Sequence, residues 1–423
     1  MMRHGRTFLS IQNEAPRLTG RARMTRSSEQ PRRGGIDGAE LSVRDDPGAL
    51  AELFSEWARL LELIPEHSIF ASPEWIRTWW EFFGHDRSPH VASARRGGKL
   101  LALAPLCTKR RWGIRIREFI GSEESDVGSL LLAPGAEDLA ERLVRLVLDQ
   151  DDWDLIDLWG VVAGSPTAVA LGDALAAEGV HYELVPMTLN PVLDLRSEAW
   201  AASASRPMLR DLARQRRMLG RVGKLDLVFP SDVDEVETAL QRLRVLHIER
   251  WRRLGEMSPL QLGDYWAWVR GVALDSWREG WLYFPRLVID GRLVATGLYL
   301  LYRRRLFYWV GAHESEFARH SPNQLLTLAV IEDVRSSGTA DVLDFGSGGE
   351  PYKLRWTQSA SPLLRVMAWR GYRGRLAHFW QGRVRPWAWA HWKSTRPMRR
   401  WRQLRRLVTG AKRRPPSAGR MSR

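Results

Sequence analysis

Four side chains able to move protons or balance charge lie close together in the stretch DFGSGGEPYKLRW, residues 344–356. Asp344 ends an apolar strand pattern, a glycine-rich turn follows, and Glu350, Tyr352 and Lys353 come directly after the turn. In open α/β sheets, sites collect beyond the carboxyl ends of strands, so these side chains are expected at one sheet edge. The turn lacks the Gly-Lys-Ser/Thr ending of a phosphate-binding loop. An internal ion pair between Lys353 and a neighbouring carboxylate is the alternative interpretation.

The sequence HSPNQLL predicts a strongly specified helix start. Ser321 is expected to accept from the exposed amides, Pro322 suits the first turn, and Gln324 completes a Ser-x-x-Gln capping box. The predicted helix runs over 323–336. The free amides and the helix dipole at such a start favour an anion such as a pyrophosphate, although most capped helices bind no ligand.

Other reactive side chains form no metal-binding or nucleophile motif. Cys107 is the single cysteine and lies in an apolar strand pattern, which indicates packing rather than reactivity. The dispersed histidines show no ligand spacing, so no metal site is predicted. His247 and Trp251 lie at i and i+4 of a predicted helix, which is typical of packing and leaves a weaker substrate-binding interpretation open.

The net charge of +15 is concentrated at the ends of the 423-residue chain. Residues 372–423 contain sixteen Lys and Arg and no acidic residue, residues 1–40 contribute +4, and residues 41–371 carry −5. No apolar run approaches the roughly 20 residues of a membrane-spanning helix, and no secretory signal is evident at the start. We therefore expect a cytoplasmic protein whose basic surfaces belong to its ends.

The tail 372–423 interleaves five Trp with many Arg. Because Trp favours the membrane interface and Arg favours anionic head groups, the tail predicts peripheral contact with an anionic membrane surface at the inner face. Single-stranded nucleic acid is a second possible partner, and packing of the Trp side chains on the domain surface is a third interpretation. A separate basic helix, with Arg210, Arg214, Arg217 and Arg221 on one face, is either solvated or meets an acidic polysaccharide or lipid-linked phosphate.

The order of predicted elements repeats once along the chain. The first set is a strand hairpin turning at GGK, a helix over 136–149 and the buried strand WDLIDLWGV. The second set is the hairpins turning at DG and RRR, the helix over 323–336 and the strand ADVLDFGSG. The predicted fold class is therefore α/β (α+β) with two similar halves. The predicted units are a disordered arm 1–40, an N-terminal domain 41–195, a C-terminal domain 196–371 and a basic tail 372–423.

The segment GAHESEFARHSPNQLLTLAVIEDVRSSGTADVLDFGSGGEPYKLRWT resembles the GNAT acyltransferase superfamily. It is similar in particular to the CelD-like branch, described as acetyltransferases of cellulose biosynthesis and related to the Fem peptidyltransferases. The matching positions are Ser321, Pro322, Leu325, Leu326, Gly338, Asp344, Phe345, Gly348, Glu350, Tyr352, Lys353 and Trp356. Asn323 and Ser347 depart from the pattern, since the branch usually has Gly at the first position and often Arg at the second. The resemblance covers roughly 41–371.

The resemblance implies two tandem GNAT-like domains, each a mixed, mostly antiparallel sheet flanked by helices, and an acyl-CoA co-substrate such as acetyl-CoA. The acyl-CoA would lie against the strand RLFYWVGA, with its pyrophosphate at the helix start. The implied cofactor-binding residues are Val310, Gly311, Ser321, Asn323, Gln324 and Leu325. A small-molecule or glycan acceptor would occupy the cleft between the domains, near His247, Trp251 and Tyr308.

Acyl transfer from a thioester needs a base for the acceptor and a donor for the developing oxyanion. Among the residues at the implied site, Glu350 is the first choice as base and Glu314 the second. Lys353 would neutralise a phosphate or the oxyanion, and Tyr352 or Tyr308 would protonate the leaving thiolate. Asp344 completes the predicted catalytic set.

The function that follows is an acyl-CoA-dependent N- or O-acyltransferase of envelope or extracellular polysaccharide or glycolipid biosynthesis. Two alternatives stay open at this point. One is a Fem-like transferase that uses aminoacyl-tRNA, for which the basic tail would be an RNA-binding arm. The other is a catalytically inactive GNAT-like scaffold that binds a polysaccharide synthase.

Overall fold

The computed structural model describes residues 19–20, 38–197 and 200–384. Nearly all of the predicted disordered arm and most of the basic tail lie outside these residues. The strands of the first half are β1 (Thr19–Gly20), β2 (Ala39–Arg44), β3 (Arg87–Arg96), β4 (Lys99–Arg111), β5 (Ile114–Phe119), β6 (Leu131–Leu132), β7 (Leu155–Val162) and β8 (His181–Asp194). Its helices are α1 (Pro47–Leu63), α2 (Pro73–Phe83), α3 (Asp138–Asp149) and α4 (Pro166–Ala177).

The second half repeats the plan with additional helices in its described residues. Its helices are α5 (Trp200–Ser203), α6 (Arg206–Leu219), α7 (Val233–Arg253), α8 (Gly263–Arg278), α9 (Pro322–Ser337), α10 (Pro351–Leu354) and α11 (Gly371–Phe379). Its strands are β9 (Leu225–Val228), β10 (Leu282–Tyr283), β11 (Arg286–Ile289), β12 (Arg292–Tyr302), β13 (Arg305–His313), β14 (Val342–Asp344) and β15 (Ala360–Trp369). A π-helical turn, Trp380–Val384, follows α11.

All of these strands belong to one mixed sheet, whose main path runs β2-β3-β4-β5-β7-β15-β8-β14-β13-β12-β11-β9. Most neighbours are antiparallel, and the two parallel pairs, β5 with β7 and β13 with β14, occupy equivalent places in the two halves. In each half a helix crosses between the parallel strands, α3 in the first and α9 in the second. The predicted α/β class with two similar halves is confirmed.

Strand β15 joins the halves, because it lies between β7 and β8 although it comes last in the chain. Its Arg365 makes two hydrogen bonds, of 2.6 and 2.7 Å, to the buried carboxylate of Asp157 on β7. The strand order therefore cuts across the predicted division into domains, since β15 was assigned to the C-terminal unit. The boundaries themselves stay a prediction.

Helix starts and packing follow from local sequence. The Ser72 hydroxyl accepts from the amide of Trp75 at 3.2 Å, which is the N-cap that the sequence predicts for α2. Helix α2 packs against α8, where Trp75, Trp268 and Trp309 meet edge to face or tilted in a core shared by both halves. The two halves are thus fused by apolar burial as well as by strand pairing.

Candidate functional site

A wedge-shaped gap opens in the second half where β13 and β14 separate. The parallel pairing holds only from 305–307 to 342–344. Beyond Asp344 the chain stays with β8, because the amides of Phe345 and Gly348 donate to carbonyls of that strand at 3.0 and 2.8 Å. Strand β13 continues to His313, so its edge over 308–313 has no neighbouring strand on this side within the described residues.

A β-bulge lies on β13 at the mouth of this gap. On the β12 side the register shifts between the pairs Leu298–Val310 and Tyr299–Tyr308, which leaves Trp309 as the extra residue. The bulge brings the Tyr308 hydroxyl over Gly311, where any Cβ would overlap it. The predicted cofactor residues Val310 and Gly311 therefore line the gap, and glycine is required at 311 for the close approach of the tyrosine.

Helix α9 begins beside the end of β13, but the predicted capping box is wrong. Ser321 is left-handed (φ 52°, ψ 50°) and its side chain makes no cap hydrogen bond. Its carbonyl instead accepts from the amides of Gln324 and Leu325 at 3.0 and 3.1 Å, and Gln324 Oε1 accepts from Trp356 Nε1 at 2.7 Å. The cause is the 3-10 turn 315–320, which delivers the chain to the helix through a left-handed residue rather than an extended N-cap.

Two buried polar atoms at this helix start are incompletely hydrogen-bonded. Asn323 Oδ1 and His313 Nδ1 form no hydrogen bond of good geometry, although the two side chains lie close enough to interact. Burial and the positive charge of Arg250 lower the pKa of His313 against the interaction with Asn323, so the imidazole is neutral near pH 7. Buried polar atoms are normally paired, which makes this pair a place where a ligand group would complete the hydrogen bonding.

Arg250, on the last turn of α7, is a site residue that the sequence reasoning missed. Its charge acts on Tyr308 and Tyr352, where it opposes the burial that raises the pKa of each phenol. Within the described residues its guanidinium makes no ion pair. Arg250 lies within the LHIERW motif between His247 and Trp251. Its place in that motif was the sequence feature that could have identified it.

The structure brings Glu350, Tyr352 and Tyr308 together, since the Glu350 charge also contributes to the raised pKa of both phenols. Glu350 Oε2 lies 3.2 Å from Lys353 Nζ, yet without hydrogen-bond geometry. Its carboxylate packs over Gly348, where a Cβ would overlap it. The raised pKa values keep both phenols protonated at neutral pH, so each can donate a proton.

Lys353 and Asp344 are held inside the glycine turn rather than presented to a ligand. Lys353 is 5% exposed and its ammonium donates to the carbonyls of Ser347 at 2.7 Å and Gly346 at 3.5 Å. Asp344 accepts from Asn190, from the Gly346 amide and from Arg305 at 2.9–3.1 Å. These contacts make both residues positioning residues that fix the turn.

The remaining predicted residues lie elsewhere. His247 Nδ1 bonds to Ser258 Oγ at 2.8 Å and its Nε2 accepts from Trp251 Nε1 at 3.2 Å, so both are internally satisfied. Burial lowers the pKa of His247 to about 4. Glu314 accepts from Arg242 Nε at 2.9 Å, as an ion pair at the end of β13 outside the cluster.

A loop of the first half, residues 121–129, supplies two further carboxylates that the sequence reasoning missed. Ser347 Oγ donates to Asp126 Oδ1 at 2.5 Å, and a Cβ on Gly346 would lie 2.6 Å from Asp126 Oδ2 and 3.6 Å from the Tyr308 carbonyl. Asp126 thus borders the point where β13 and the glycine turn diverge. The sequence contained a clue to this loop. In FIGSEESDVGS, as in DFGSGGE, glycine and acidic residues come directly after a strand.

Glu124 and Asp126 are both half-buried residues of this loop. Trp79 Nε1 donates to Glu124 Oε2 at 2.8 Å. Burial raises the pKa of the Tyr265 phenol, and the charges of both carboxylates raise it further. Burial raises the pKa of Glu124 to about 7, against the hydrogen bond from Trp79. Burial also raises the pKa of Asp126, against its bonds to Ser347 and the charge of Lys353. A carboxylate whose pKa is near 7 is suited to general base catalysis.

Metal ligation has no candidate here: among the described residues, no group of His, Cys, Asp and Glu is arranged to hold a metal ion. Cys107 is fully buried, and burial raises the pKa of its thiol.

Part of the chain is similar to a known family. Residues 206–354 match the family model described as acetyltransferase (GNAT) domain. No curated protein sequence matches the chain. Among solved structures, FemX superposes with a TM-score of 0.53 at 11% identity, over 74% of this chain and 95% of FemX.

Two further structures show weaker similarity. A tandem GNAT protein from the clavulanic acid biosynthesis pathway has a TM-score of 0.45 at 16% identity, over 78% of this chain and 98% of that one. L-PGS from Bacillus licheniformis has a TM-score of 0.45 at 12% identity, over 77% and 92%. Residues 206–354 are thus similar to a GNAT acetyltransferase domain, and 74% of the chain shares its fold with FemX.

Proposed function

We propose that the protein is an acyl-CoA-dependent N- or O-acyltransferase whose donor site is the gap between β13 and the glycine turn. The observation that carries the proposal is the free 308–313 edge of β13, which ends beside the start of α9. An extended pantetheine arm can add to such an edge through backbone hydrogen bonds. A pyrophosphate suits the adjoining helix start.

The residues at the helix start fit a phosphate-bearing donor. The first turn of α9 contains no acidic residue, and Arg319 lies exposed on the 3-10 turn that leads to it. Arg250 is exposed on the last turn of α7, close enough to lower the pKa of His313. The incompletely hydrogen-bonded Asn323 and His313 offer further polar contacts. Proline has no N–H and the Gln324 and Leu325 amides donate to the Ser321 carbonyl, so the Asn323 amide is the donor left in this first turn. This amide, the two cations and the buried polar atoms together favour an anion.

The acceptor would enter from the side of loop 121–129, which carries Glu124 and Asp126. One of these carboxylates takes the proton from an amine or hydroxyl as the acceptor nitrogen or oxygen attacks the thioester carbonyl carbon. The carbon–sulfur bond then breaks, and Tyr308 or Tyr352 protonates the leaving thiolate. Glu350, the predicted base, is the alternative carboxylate, and it lies on the tyrosine side of the turn.

Calorimetry with acetyl-CoA tests the donor. We expect binding, weakened roughly tenfold in Arg250→Ala because a charge near the bound phosphates is lost. Arg252→Ala is the matched control, since Arg252 is exposed on the same helix and should bind as the wild type does. Absence of acetyl-CoA binding would contradict the proposal.

The same titration with aminoacyl-tRNA addresses the second candidate, which the FemX-like fold favours. Binding of aminoacyl-tRNA without binding of acetyl-CoA would replace the first candidate by a Fem-like transferase. Binding of neither would leave the inactive scaffold. The polysaccharide role rests on the CelD-like resemblance, and a mass-spectrometric comparison of glycans and glycolipids from cells with and without the protein tests it.

A further inference from the structure

A patch of exposed apolar side chains is formed by α11, the turn that follows it and the tip of the β4–β5 hairpin. Its members and exposed fractions are Trp112 (73%), Tyr372 (70%), Leu376 (61%), Phe379 (55%) and Trp380 (46%). Trp112 is at the tip of the β4–β5 hairpin, and its ring meets that of Trp380 edge to face at 6.0 Å. The hairpin tip and α11 therefore form one continuous surface, which we call the aromatic face.

Helix α11 divides its residues sharply between two sides. Tyr372, Leu376 and Phe379 follow the i, i+4, i+7 spacing of one helical face, and all are exposed. Gly374 and Ala377, on the opposite side, are buried. Large apolar side chains exposed together on one face of a helix mark an interaction surface.

The hairpin tip also exposes a large aromatic side chain, and it does so in a backbone conformation that is unfavourable for such a residue. Arg111 pairs directly with Ile114, so Trp112 and Gly113 form a two-residue turn, with φ of 51° and 77°. Asn, Asp and Gly favour such a turn, whereas a bulky side chain with positive φ is disfavoured. An exposed Trp at this position does not serve the turn, which indicates a role outside the chain.

The charges around the aromatic face are positive. Arg373 and Arg375 flank the apolar stripe on either side of α11, and Arg110 and Arg111 lie at the hairpin tip, all exposed. Arg111 stacks over the Trp112 ring at 4.6 Å. The neighbouring acidic groups already face arginines: Asp154 bonds to Arg115 at 3.1 Å, and Asp151 lies 3.9 Å from Arg370.

We propose that the aromatic face docks the protein on an anionic lipid bilayer. Trp, Tyr and Phe side chains enter the interfacial region while the flanking guanidinium groups meet the lipid phosphates. The continuing sequence fits the same occupant, because residues 385–423 add four Trp and thirteen Lys and Arg with no acidic residue. No helix in the described part of the chain is long and apolar enough to cross a membrane, so docking would be peripheral.

Flotation of the full-length protein with lipid vesicles tests the proposal. Vesicles of phosphatidylglycerol and phosphatidylcholine should bind the protein, binding should fall as salt rises, and pure phosphatidylcholine should bind little. Trp112→Asn should lower the partition coefficient roughly fivefold, about the effect of removing one partly inserted aromatic side chain. The combined Tyr372→Ser, Leu376→Gln and Phe379→Ser variant should lower it by more.

The variants separate docking from folding. Because Asn suits the turn better than Trp does, Trp112→Asn should unfold at the same or a higher temperature than the wild type. Val169→Ser is the control: Val169 is 54% exposed on α4, outside the face, and its loss should not change binding.

Three results would overturn the proposal. The first is no vesicle binding by the wild type. The second is equal binding by the wild type and both face variants, as expected if residues 385–423 cover the face or bind lipid alone. The third is loss of single-stranded oligonucleotide binding in the face variants while vesicle binding persists.

Discussion

The two halves contain the same strand–helix–strand crossover, yet only the second keeps its gap open. In the first half, β5 pairs with β7 over two residues and then separates, as β13 separates from β14. There the loop 121–129 fills the opening: the Gly128 amide donates to the Gly160 carbonyl at 3.2 Å, and a Cβ on Gly128 would lie 2.5 Å from Phe119. The first gap is therefore closed by the chain's own backbone.

The crossover helices differ in charge as well. Helix α3 begins after Glu137 and has Asp138 and Glu141 in its first turn, which repel an anion, whereas the first turn of α9 has no acidic residue. The loop that closes the first gap also brings Asp126 to the edge of the second, where it accepts from Ser347. Under the proposed function, the second half would offer the donor site and the first half would supply a carboxylate at its edge.

The largest expected effect concerns this division. Glu124→Gln should lower the turnover number by about 10²–10⁴-fold if Glu124 is the base, without changing acetyl-CoA affinity. Release of the CoA thiol, with water or an added acceptor, measures it. The wild-type rate should rise with pH through about 7, where the carboxylate loses its proton, and the variant should lose that rise. Glu123→Gln, at an exposed neighbour, is the control, and an unchanged rate in Glu124→Gln would move the role to Asp126 or Glu350.

The open gap depends on a glycine, which a second substitution addresses. Gly311→Ala should destabilise the protein by about 1–3 kcal/mol, because the new Cβ overlaps the Tyr308 hydroxyl in a packed site. Urea unfolding measures the change. Gly172→Ala in the first half is the matched control: nothing lies within 4 Å of its Cβ position in α4, so it should stabilise slightly. Equal effects at the two sites would contradict the close approach of Tyr308.

The raised pKa of Glu124 also predicts a pH-dependent stability. Its pKa is about 7 in the folded protein and 4.5 as the reference, so the wild type loses stability as pH rises from about 4.5 through 7. Glu124→Gln, which can still accept from Trp79, should therefore be more stable than the wild type by about 1–2 kcal/mol at pH 8 and similar to it at pH 4.5. Parallel unfolding curves at both pH values check this, and a pH-independent difference would show that Glu124 is not desolvated.

The smallest effect tests the charge difference between the crossover helices. Asn323→Asp gives α9 an acidic first turn like that of α3. It should weaken acetyl-CoA binding about tenfold, because the added carboxylate repels the phosphates and offsets the positive end of the helix dipole. Asp138→Asn at α3 should leave binding unchanged. Calorimetry measures both, and an effect at α3 comparable to that at α9 would place a donor site in the wrong half.

Local sequence predicted the elements well where the signal was local. Ser72 and Gly84 bound α2, the turns at GGK and DG join the predicted hairpins, and the repeated order of elements is present. Local sequence failed at Ser321. The Ser-x-x-Gln capping pattern is present there, but the preceding turn holds Ser321 in a left-handed conformation in which its side chain does not cap the helix. Residue type and spacing singled out Lys353 and Asp344. Their roles in fixing the glycine turn became clear only from their hydrogen-bond partners in the structure.

The sequence by itself determined the α/β class, the two similar halves, the glycine turn after a strand at 344–349 and the Trp and Arg richness of the C-terminal end, because these are periodicities and compositions readable within short windows. Only the tertiary structure decided that β15 returns to the first half, that the loop 121–129 closes one gap and borders the other, and that the charge of Arg250 acts on Tyr308. Those relations join residues far apart in sequence, and their energies depend on burial and charge proximity that no local pattern encodes.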